Sequence, residues 1–559
     1  MAEQVRRIYF AAESVLTALG DLSQTMEAMA QGRSGLAYRP EYDVIAGCID
    51  RNHPMARHRD GFTRFESLVI NQVEDVCRQA GVSLESPSSR LVISTTKGNV
   101  DLLAEHGLVP ESYLYASASA IASHFNACHR PIVISNACIS GLSAMVVARN
   151  ILLDKEVDNV VVVGCDVLSE FIVEGFRSFK SISAQPCRPY DDLRDGLSLG
   201  EACGAVVLTA CREKAATSCI ELCGGAVTND ANHISGPSRT GDGLFYAMDQ
   251  AMRQAGVKAE QISFVNTHGT ATRYNDEMES KAVAWAGLSD TPLNAVKGYI
   301  GHTLGASGVV EAIICAQELR NDVIYGSKGF STPGTPCPVA ITPETRTGRE
   351  LTCCVKTASG FGGCNAAVVL CKEGTGTAER RERTRQAAVT SEYELPQSDM
   401  PFADFIRQEF KAFDSPNMKF YKMSDLCKAV YVSVENLLAG NEGFAQAEPV
   451  RRAIVLANKV SSLESDMQHQ VIVNQHNEEG ASPAVFVYTL PNVAAGEMCI
   501  RHKIQGDNTF FIEDSDSALA EDYARYLIET DQADAVICGW CEKLDENWDV
   551  RLKLMENIK

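Results

Sequence analysis

The stretch RPIVISNACISGLSAMVVARNILLDKEVDNVVVVGC, residues 130–165, holds a complete strand–helix–strand unit. An apolar strand, IVIS, runs into a tight polar bend at Asn136-Ala137-Cys138. A helix rich in small residues follows, with Gly141, Ser143, Ala144 and Ala148, and then a second apolar strand, NVVVVG (159–164). Strands that are apolar on every position belong to a sheet covered on both faces. RLVIST (90–95), GAVVLT (204–209) and ISFVNT (262–267) have the same character, and helical stretches separate them. The first 370 residues or so therefore read as a layered α/β fold.

The same unit raises a chemical question at Cys138. A thiol at the start of a helix feels the positive end of the peptide dipoles, which is expected to lower its pKa and raise its thiolate fraction. Free backbone N–H groups at that corner can hold a developing oxyanion. On this stretch alone, a buried structural thiol is the plainer reading, because Cys is among the most buried residue types. Two further segments tilt the balance. NTHGTATRYND (266–276) places His268 at a strand end, and KGYIGHTLGASGVVEA (297–312) places His302 between small residues ahead of a helix. Loops at strand ends of α/β sheets are where ligands bind, and Gly, Thr and Ser let a substrate come close. A fourth segment, KTASGFGGCNAAVVL (356–370), sets Phe361 in a glycine turn, where it could be mobile.

Composition limits the partners. The chain has 559 residues, 22% charged, and a net charge of −21, which argues against general nucleic-acid binding. No apolar run is long enough to span a membrane, and the start MAEQVRRIYFAAESVL reads against a signal peptide. Twenty cysteines without framework spacing suggest free thiols in a reducing compartment, hence a cytoplasmic protein.

Residues 372–398, KEGTGTAERRERTRQAAVTSEYELPQS, are charged and lack apolar periodicity, so 373–398 is expected to be an exposed linker. Arg380, Arg381, Arg383 and Arg385 in it could meet an acidic partner, although a solvated linker is the simpler expectation. Beyond it the chain repeats its own beginning. RRAIVLANKVSSLES near 451 echoes SRLVISTTKGNVDLL near 89, and FYKMSDL (420–426) echoes FTRFESL (62–68). The opening unit returns as GDNTFFIEDSDSALAEDYARYLIETDQADAVICGWC (506–541), aligned without a gap from Pro131 against Gly506 to Gly164 against Gly539. That alignment sets Glu513 where Cys138 stands. Cys538 and Cys541 have redox-motif spacing, but the repeat places them at the end of a strand, where a structural role is expected.

Taken together, the four segments resemble the β-ketoacyl synthases of the thiolase superfamily. Ala137-Cys138-Ile139-Ser140-Gly141 matches that family's A-C-x-S-G setting, and Thr267 to Thr270 its T-H-G-T motif. Lys297 through Gly308 matches K-x-x-x-G-H-x-x-G-A-x-G, and Gly360 to Asn365 matches G-F-G-G-x-N. CRPYDDLRDGLSLGEACGAVVL (187–208) adds a fifth match in order. The resemblance covers about residues 5 to 372. It implies a thiolase-like α-β-α-β-α fold for 1–372, followed by a partial thiolase-like α/β domain over 399–559.

The resemblance also implies an acyltransferase that performs decarboxylative Claisen condensation. Cys138 would carry the acyl group, and His268 and His302 would hold the enolate formed from a malonyl thioester. The N–H groups of Cys138 and Phe361 would form the oxyanion hole, with Phe361 as a gate. Lys297 and Glu311 match supporting ionic positions, and Thr270 and Thr272 match positions that hold a phosphopantetheine arm. That arm arrives on an acyl carrier protein, so no metal or redox cofactor is implied. Arg273-Tyr274-Asn275 and Cys364 depart from the usual family residues, which puts acyl specificity in question. Two alternatives stay open, a non-decarboxylating thiolase and a non-catalytic scaffold that binds carrier protein. The C-terminal half resembles a truncated chain-length factor, and no T-H-G-T or G-H-x-x-G segment follows in it. Family members dimerise through the strand before the nucleophile, so either a homodimer or an intrachain pseudo-dimer through TFFIE (509–513) is expected.

Overall fold

A computed structural model describes residues 6–216, 218–376, 383–413, 417–475 and 480–558. Fifteen strands define its frame, in three groups of five. The first group is β1 (Tyr9–Thr17), β2 (Ser89–Ser94), β3 (Ile132–Ile134), β4 (Asn159–Asp166) and β5 (Ala202–Thr209). The second is β6 (Ile220–Asn229), β7 (Ile262–Asn266), β8 (Pro292–Asn294), β9 (Cys353–Gly360) and β10 (Cys364–Lys372). The third is β11 (Ala387–Glu394), β12 (Arg452–Asn458), β13 (Phe510–Ile512), β14 (Ala535–Leu544) and β15 (Asn547–Asn557).

All three groups share one topology. In space each runs third, second, fourth, fifth, first. The second strand is parallel to both its neighbours and the fifth is antiparallel to both of its own. The repeat read from sequence between the first and third groups is thus a repeat of sheet order. These two sheets also join edge to edge. β13 lies antiparallel to β3, with Phe511 opposite Ile134 and Ile512 opposite Val133, so one sheet runs through both halves of the chain.

Six helices matter for the site: α1 (Ser140–Leu153), α2 (Glu170–Ser178), α3 (Arg273–Trp285), α4 (Ser307–Asn321), α5 (Asn492–His502) and α6 (Leu519–Glu529). α1 and α4 pack against each other and against strands of both the first and second sheets. Their crossing requires glycine, because a Cβ at Gly308 would stand 2.3 Å from the Leu142 nitrogen. This is the layered α/β arrangement expected.

Two expectations need correction. The span 373–398 is not all linker, since Ala387–Glu394 forms β11 and pairs along its length with β15. Its alternation of polar and half-buried residues is that of an edge strand with one wet face, which removes the apolar signal. Arg380 and Arg381 lie outside the described residues. Arg383 pairs with Asp154 and Glu529, and Arg385 with Asp531 and Asp534, so their acidic partners belong to the chain itself. The second correction concerns the thiols. Cys353 and Cys371 face each other across β9 and β10, 4.1 Å apart at Cα, and are joined as a disulfide. Direct opposition in an antiparallel ladder supplies that proximity without any sequence spacing rule. Cys538 and Cys541 are both buried and free, and their i,i+3 spacing on a strand turns them to opposite faces.

Candidate active site

Cys138 sits on a one-turn corner, Ala137–Ile139, between β3 and α1. Ala137 takes a left-handed conformation (φ 48°), which turns the chain sharply there. Ser140 locks the corner: its Oγ accepts from the Asn136 N–H at 2.8 Å and donates to the Ala137 carbonyl at 2.6 Å. The C-terminal half grips the same place. Asn136 accepts from the Phe510 N–H at 2.8 Å and donates to the Asn508 carbonyl at 3.0 Å.

His302 Nε2 lies 3.1 Å from Cys138 Sγ, and its Nδ1 is 3.2 Å from Ser307 Oγ. His268 stands edge-on to His302, with ring centroids 5.0 Å apart. Lys297 Nζ donates to His268 Nδ1 at 3.3 Å, which leaves the proton of a neutral His268 on Nε2. Lys297 is held in turn by Glu311 Oε1 at 2.7 Å, and Lys356 takes the other oxygen, Oε2, at 2.5 Å. The backbone at His268 is fixed from α3. Glu279 accepts the N–H groups of His268 and Gly269 at 2.8 and 2.7 Å.

Burial decides the charge states. Both imidazoles are pushed well below the ordinary histidine value, first by burial and then by the charge of Lys297. Both are therefore neutral at physiological pH. The Cys138 thiol, 8% exposed, is pushed up to about 12 by burial, and the Lys297 charge offsets only part of this. The expected lowering by the helix start is thus overruled. The resting group is a thiol beside a neutral imidazole.

Two chambers meet at Cys138. The outer one, about 380 Å³, has Cys138, His268 and His302 on its walls, with Thr270, Thr272 and exposed Tyr274 also lining it. The two threonine hydroxyls are 2.8 Å apart. The inner one, about 20 Å³, is lined by Cys138, Phe176 and Lys97, and by Phe486, Thr489 and Leu490 from the C-terminal half. Phe361 borders both chambers and stacks on Phe176 at 5.9 Å. Lys97, buried beside the inner chamber, pairs with Asp466 of the C-terminal half at 2.6 Å.

The structure therefore gathers the residues that the resemblance assigned to the site: Cys138, His268, His302, Lys297, Glu311, Phe361, Thr270 and Thr272. Sequence reasoning missed Glu279, Lys356, Lys97 and the cross-half residues Phe486 and Asn492. Lys356 did carry a signal, as a lysine that follows the apolar run Cys353-Cys354-Val355 within a strand must be paired if buried. The strand ladders bear on the corner that the repeat sets opposite Cys138. Ser94 is level with Ile134 and Gly164, and Leu456 with Phe510 and Gly539. This matches Ile134 to Phe510 while Gly164 matches Gly539, so the place of Cys138 falls at Glu513 or Asp514, neither of them a thiol. The C-terminal copy is one residue shorter after this strand, which a gap-free alignment hides. Asp514 is exposed and pairs with Arg130.

Comparison with known proteins agrees with this geometry. Residues 64–214 match the family model "Beta-ketoacyl synthase, N-terminal domain", and residues 219–331 match "Beta-ketoacyl synthase, C-terminal domain". A 3-oxoacyl-[acyl-carrier-protein] synthase 2 of Rhizobium meliloti (strain 1021) is 32% identical over 248 residues, 42% of this chain and 59% of the relative. A putative polyketide beta-ketoacyl synthase 1 of Streptomyces cyaneus is 31% identical over 277 residues, 47% of this chain and 65% of the relative. The chain thus spans about three fifths of the length of these curated relatives. Among solved structures, a β-ketoacyl synthase from Burkholderia phymatum STM815 covers 66% of this chain and 99% of its own, with TM-score 0.60 and 22% identity. The PfaC keto synthase–chain length factor covers 99% of this chain and 78% of its own, with TM-score 0.78 and 14% identity, so the fold likeness extends through the C-terminal half. Residues 64–331 thus match the two β-ketoacyl synthase family models in order, and the fold of the whole chain is that of solved ketosynthases.

Proposed function

We propose that the chain is a β-ketoacyl-acyl-carrier-protein synthase that condenses a Cys138-bound acyl group with a malonyl thioester, in fatty-acid or polyketide synthesis. The observation that carries this reading is the contact of Cys138 Sγ with His302 Nε2 at 3.1 Å, with a second neutral histidine beside it. In the first step Cys138 passes its proton to His302 and attacks the acyl thioester. The carrier thiol leaves and takes up the proton. In the second step a malonyl thioester enters the outer chamber. Carbon dioxide departs, and the N–H groups of His268 and His302 hold the enolate oxygen while its carbon attacks the Cys138 thioester. The bond from the acyl carbon to Sγ breaks, the β-ketoacyl product leaves on the carrier, and the Cys138 thiolate takes up a proton from solvent. Lys297 sustains this by keeping His268 in the tautomer whose Nε2 carries the proton. Thr270 and Thr272 suit the pantetheine arm, and an acyl carrier protein is the partner the reading requires.

The thiolase alternative puts a second cysteine where this chain has its second histidine. Cys364, the nearby candidate, lines neither chamber, and its thiol donates to the Phe361 carbonyl at 3.2 Å. The C-terminal half we read as a catalytically silent intrachain partner in the manner of a chain-length factor, because its corner offers the carboxylates Glu513 and Asp514 in place of a thiol. Among the described residues no helix is long and apolar enough to cross a membrane, and the many free buried thiols suit a cytoplasmic setting.

The test is condensation with malonyl- and acyl-loaded carrier protein, wild type against Cys138→Ala. Wild type should release carbon dioxide and form the β-ketoacyl product, while Cys138→Ala forms none. If neither protein makes the carbon–carbon bond, the scaffold reading replaces this one.

A further inference from the structure

The glycine turn that carries Phe361 is held from the C-terminal half. Asn492, the first residue of α5 and 2% exposed, donates from Nδ2 to the Phe361 carbonyl at 2.9 Å. The same amide reaches Cys364 Sγ at 3.7 Å. Its Oδ1 is buried without a hydrogen-bond partner. An amide left half-satisfied in the interior is costly, and the bonds it does make all go to this one turn. One helical turn further along α5, Gly496 is shaped to the same loop, because a Cβ there would stand 2.6 Å from the Gly362 carbonyl. On the other side of the turn, a Cβ at Gly360 would lie 3.1 Å from the Cys138 nitrogen. The loop is therefore clamped between the nucleophile's backbone and the N-terminus of α5.

We propose that Asn492 is a positioning residue for acyl transfer: from the half that lacks a nucleophile of its own, it fixes the Phe361 peptides against Cys138. This inference rests on the condensing-enzyme reading. In the step concerned, a bond forms between Cys138 Sγ and the acyl carbon. The bond from that carbon to the carrier sulfur breaks, and the carrier thiol takes the proton Cys138 gave up. Between these events the acyl oxygen carries negative charge and needs N–H donors already in place. Without Asn492 the Phe361 carbonyl keeps only a weak thiol donor, Cys364 at 3.2 Å, so the hold on the turn slackens and the neighbouring N–H drifts. An interior donor that drifts does not help, so the effect falls on the rate of transfer and not on carrier binding.

The experiment uses the full chain and follows Cys138 acylation from acyl-loaded carrier protein by intact-mass spectrometry. In parallel, iodoacetamide alkylation of Cys138 reports on the thiol without needing an oxyanion hole. Asn492→Ala should slow acylation about tenfold, the factor expected for one lost positioning hydrogen bond, with KM for the carrier unchanged. Alkylation should stay within about twofold of wild type, since the thiol's own surroundings are untouched. Gly496→Ala, which displaces the loop from the same side without removing the amide, should show the same split. Unchanged acylation in both variants overturns the proposal. So does a parallel fall in acylation and alkylation, which would mark general damage to the site. If wild-type Cys138 is alkylated but never acylated by any carrier, the condensing reading itself fails and takes this inference with it.

Discussion

At the scale of single residues, Cys138 shows how burial can override position. A helix start favours a thiolate, yet the thiol is pushed up to about 12 because water is excluded on almost every side. The free enzyme's reactivity should follow. Alkylation of Cys138 is expected to climb about tenfold per pH unit between about pH 7 and 10, with no plateau, since the thiolate is the reacting form. A plateau near neutral pH in stopped-flow alkylation would show a preformed thiolate pair instead. In the proposed reaction the two histidines divide the work differently. His268→Ala should cut malonyl decarboxylation by about a hundredfold or more, the usual cost of removing an oxyanion donor. Acyl loading of Cys138 should survive in that variant, because His302 keeps its 3.1 Å contact. His302→Ala should lose both. Because both imidazoles are held well below the ordinary value, decarboxylation by wild type should be flat across neutral pH and decline only in acid, where they protonate.

At the scale of elements, α1 and α6 are the same helix of the repeat in two settings. α1 lies between two sheets and buries nearly every residue, Arg149 and Asn150 included. α6 has no second sheet above it, and its sequence carries Glu521, Asp522, Arg525 and Glu529 on the uncovered side. The missing half of the repeat is thus written into the helix, as an apolar stripe on one side only. This explains what the sequence made legible. Buried parallel strands and the Cys138, His268 and His302 corners each sit inside one short contiguous motif. β11 was hidden, because an edge strand with a wet face carries no apolar run. Phe486, Asn492 and Lys97 were hidden for a different reason. Their roles arise only where β13 meets β3, and a contact between residues hundreds of positions apart leaves no local pattern. That seam can be probed alone. Ile512, fully buried opposite Val133, tolerates no charge. Ile512→Asp should destabilise the chain by about 3 kcal/mol or more in chemical denaturation, as an unpaired buried carboxylate does. It should also depress acyl loading, since Asn136 is anchored on the neighbouring Phe510.

At the scale of the whole molecule, the chain buries carboxyl groups at a cost that pH can reveal. Asp166, Asp466 and Asp507 are raised to about 6, and Asp230 and Asp276 to about 7, each chiefly by burial. A carboxyl whose folded pKa lies above its unfolded value binds its proton more tightly when folded. Stability is therefore gained as pH falls through the folded value, the reverse of a salt-bridged carboxylate. The melting temperature should rise from about pH 8 to about pH 6 in scanning calorimetry, and a monotonic fall over that window would contradict these burial effects. Association is the other property set at this scale. The strand edge that would recruit a second copy, β3, is already paired by β13 of the same chain. An edge whose N–H and C=O groups are satisfied no longer templates another strand. The protein should accordingly run as a 60.6 kDa monomer in light scattering at concentrations where dimers of ordinary interface size persist. A stable dimer that still shows the β13–β3 contact by cross-linking would mean that a different surface brings the copies together. A dimer that loses this contact would mean that the C-terminal half exchanges between chains.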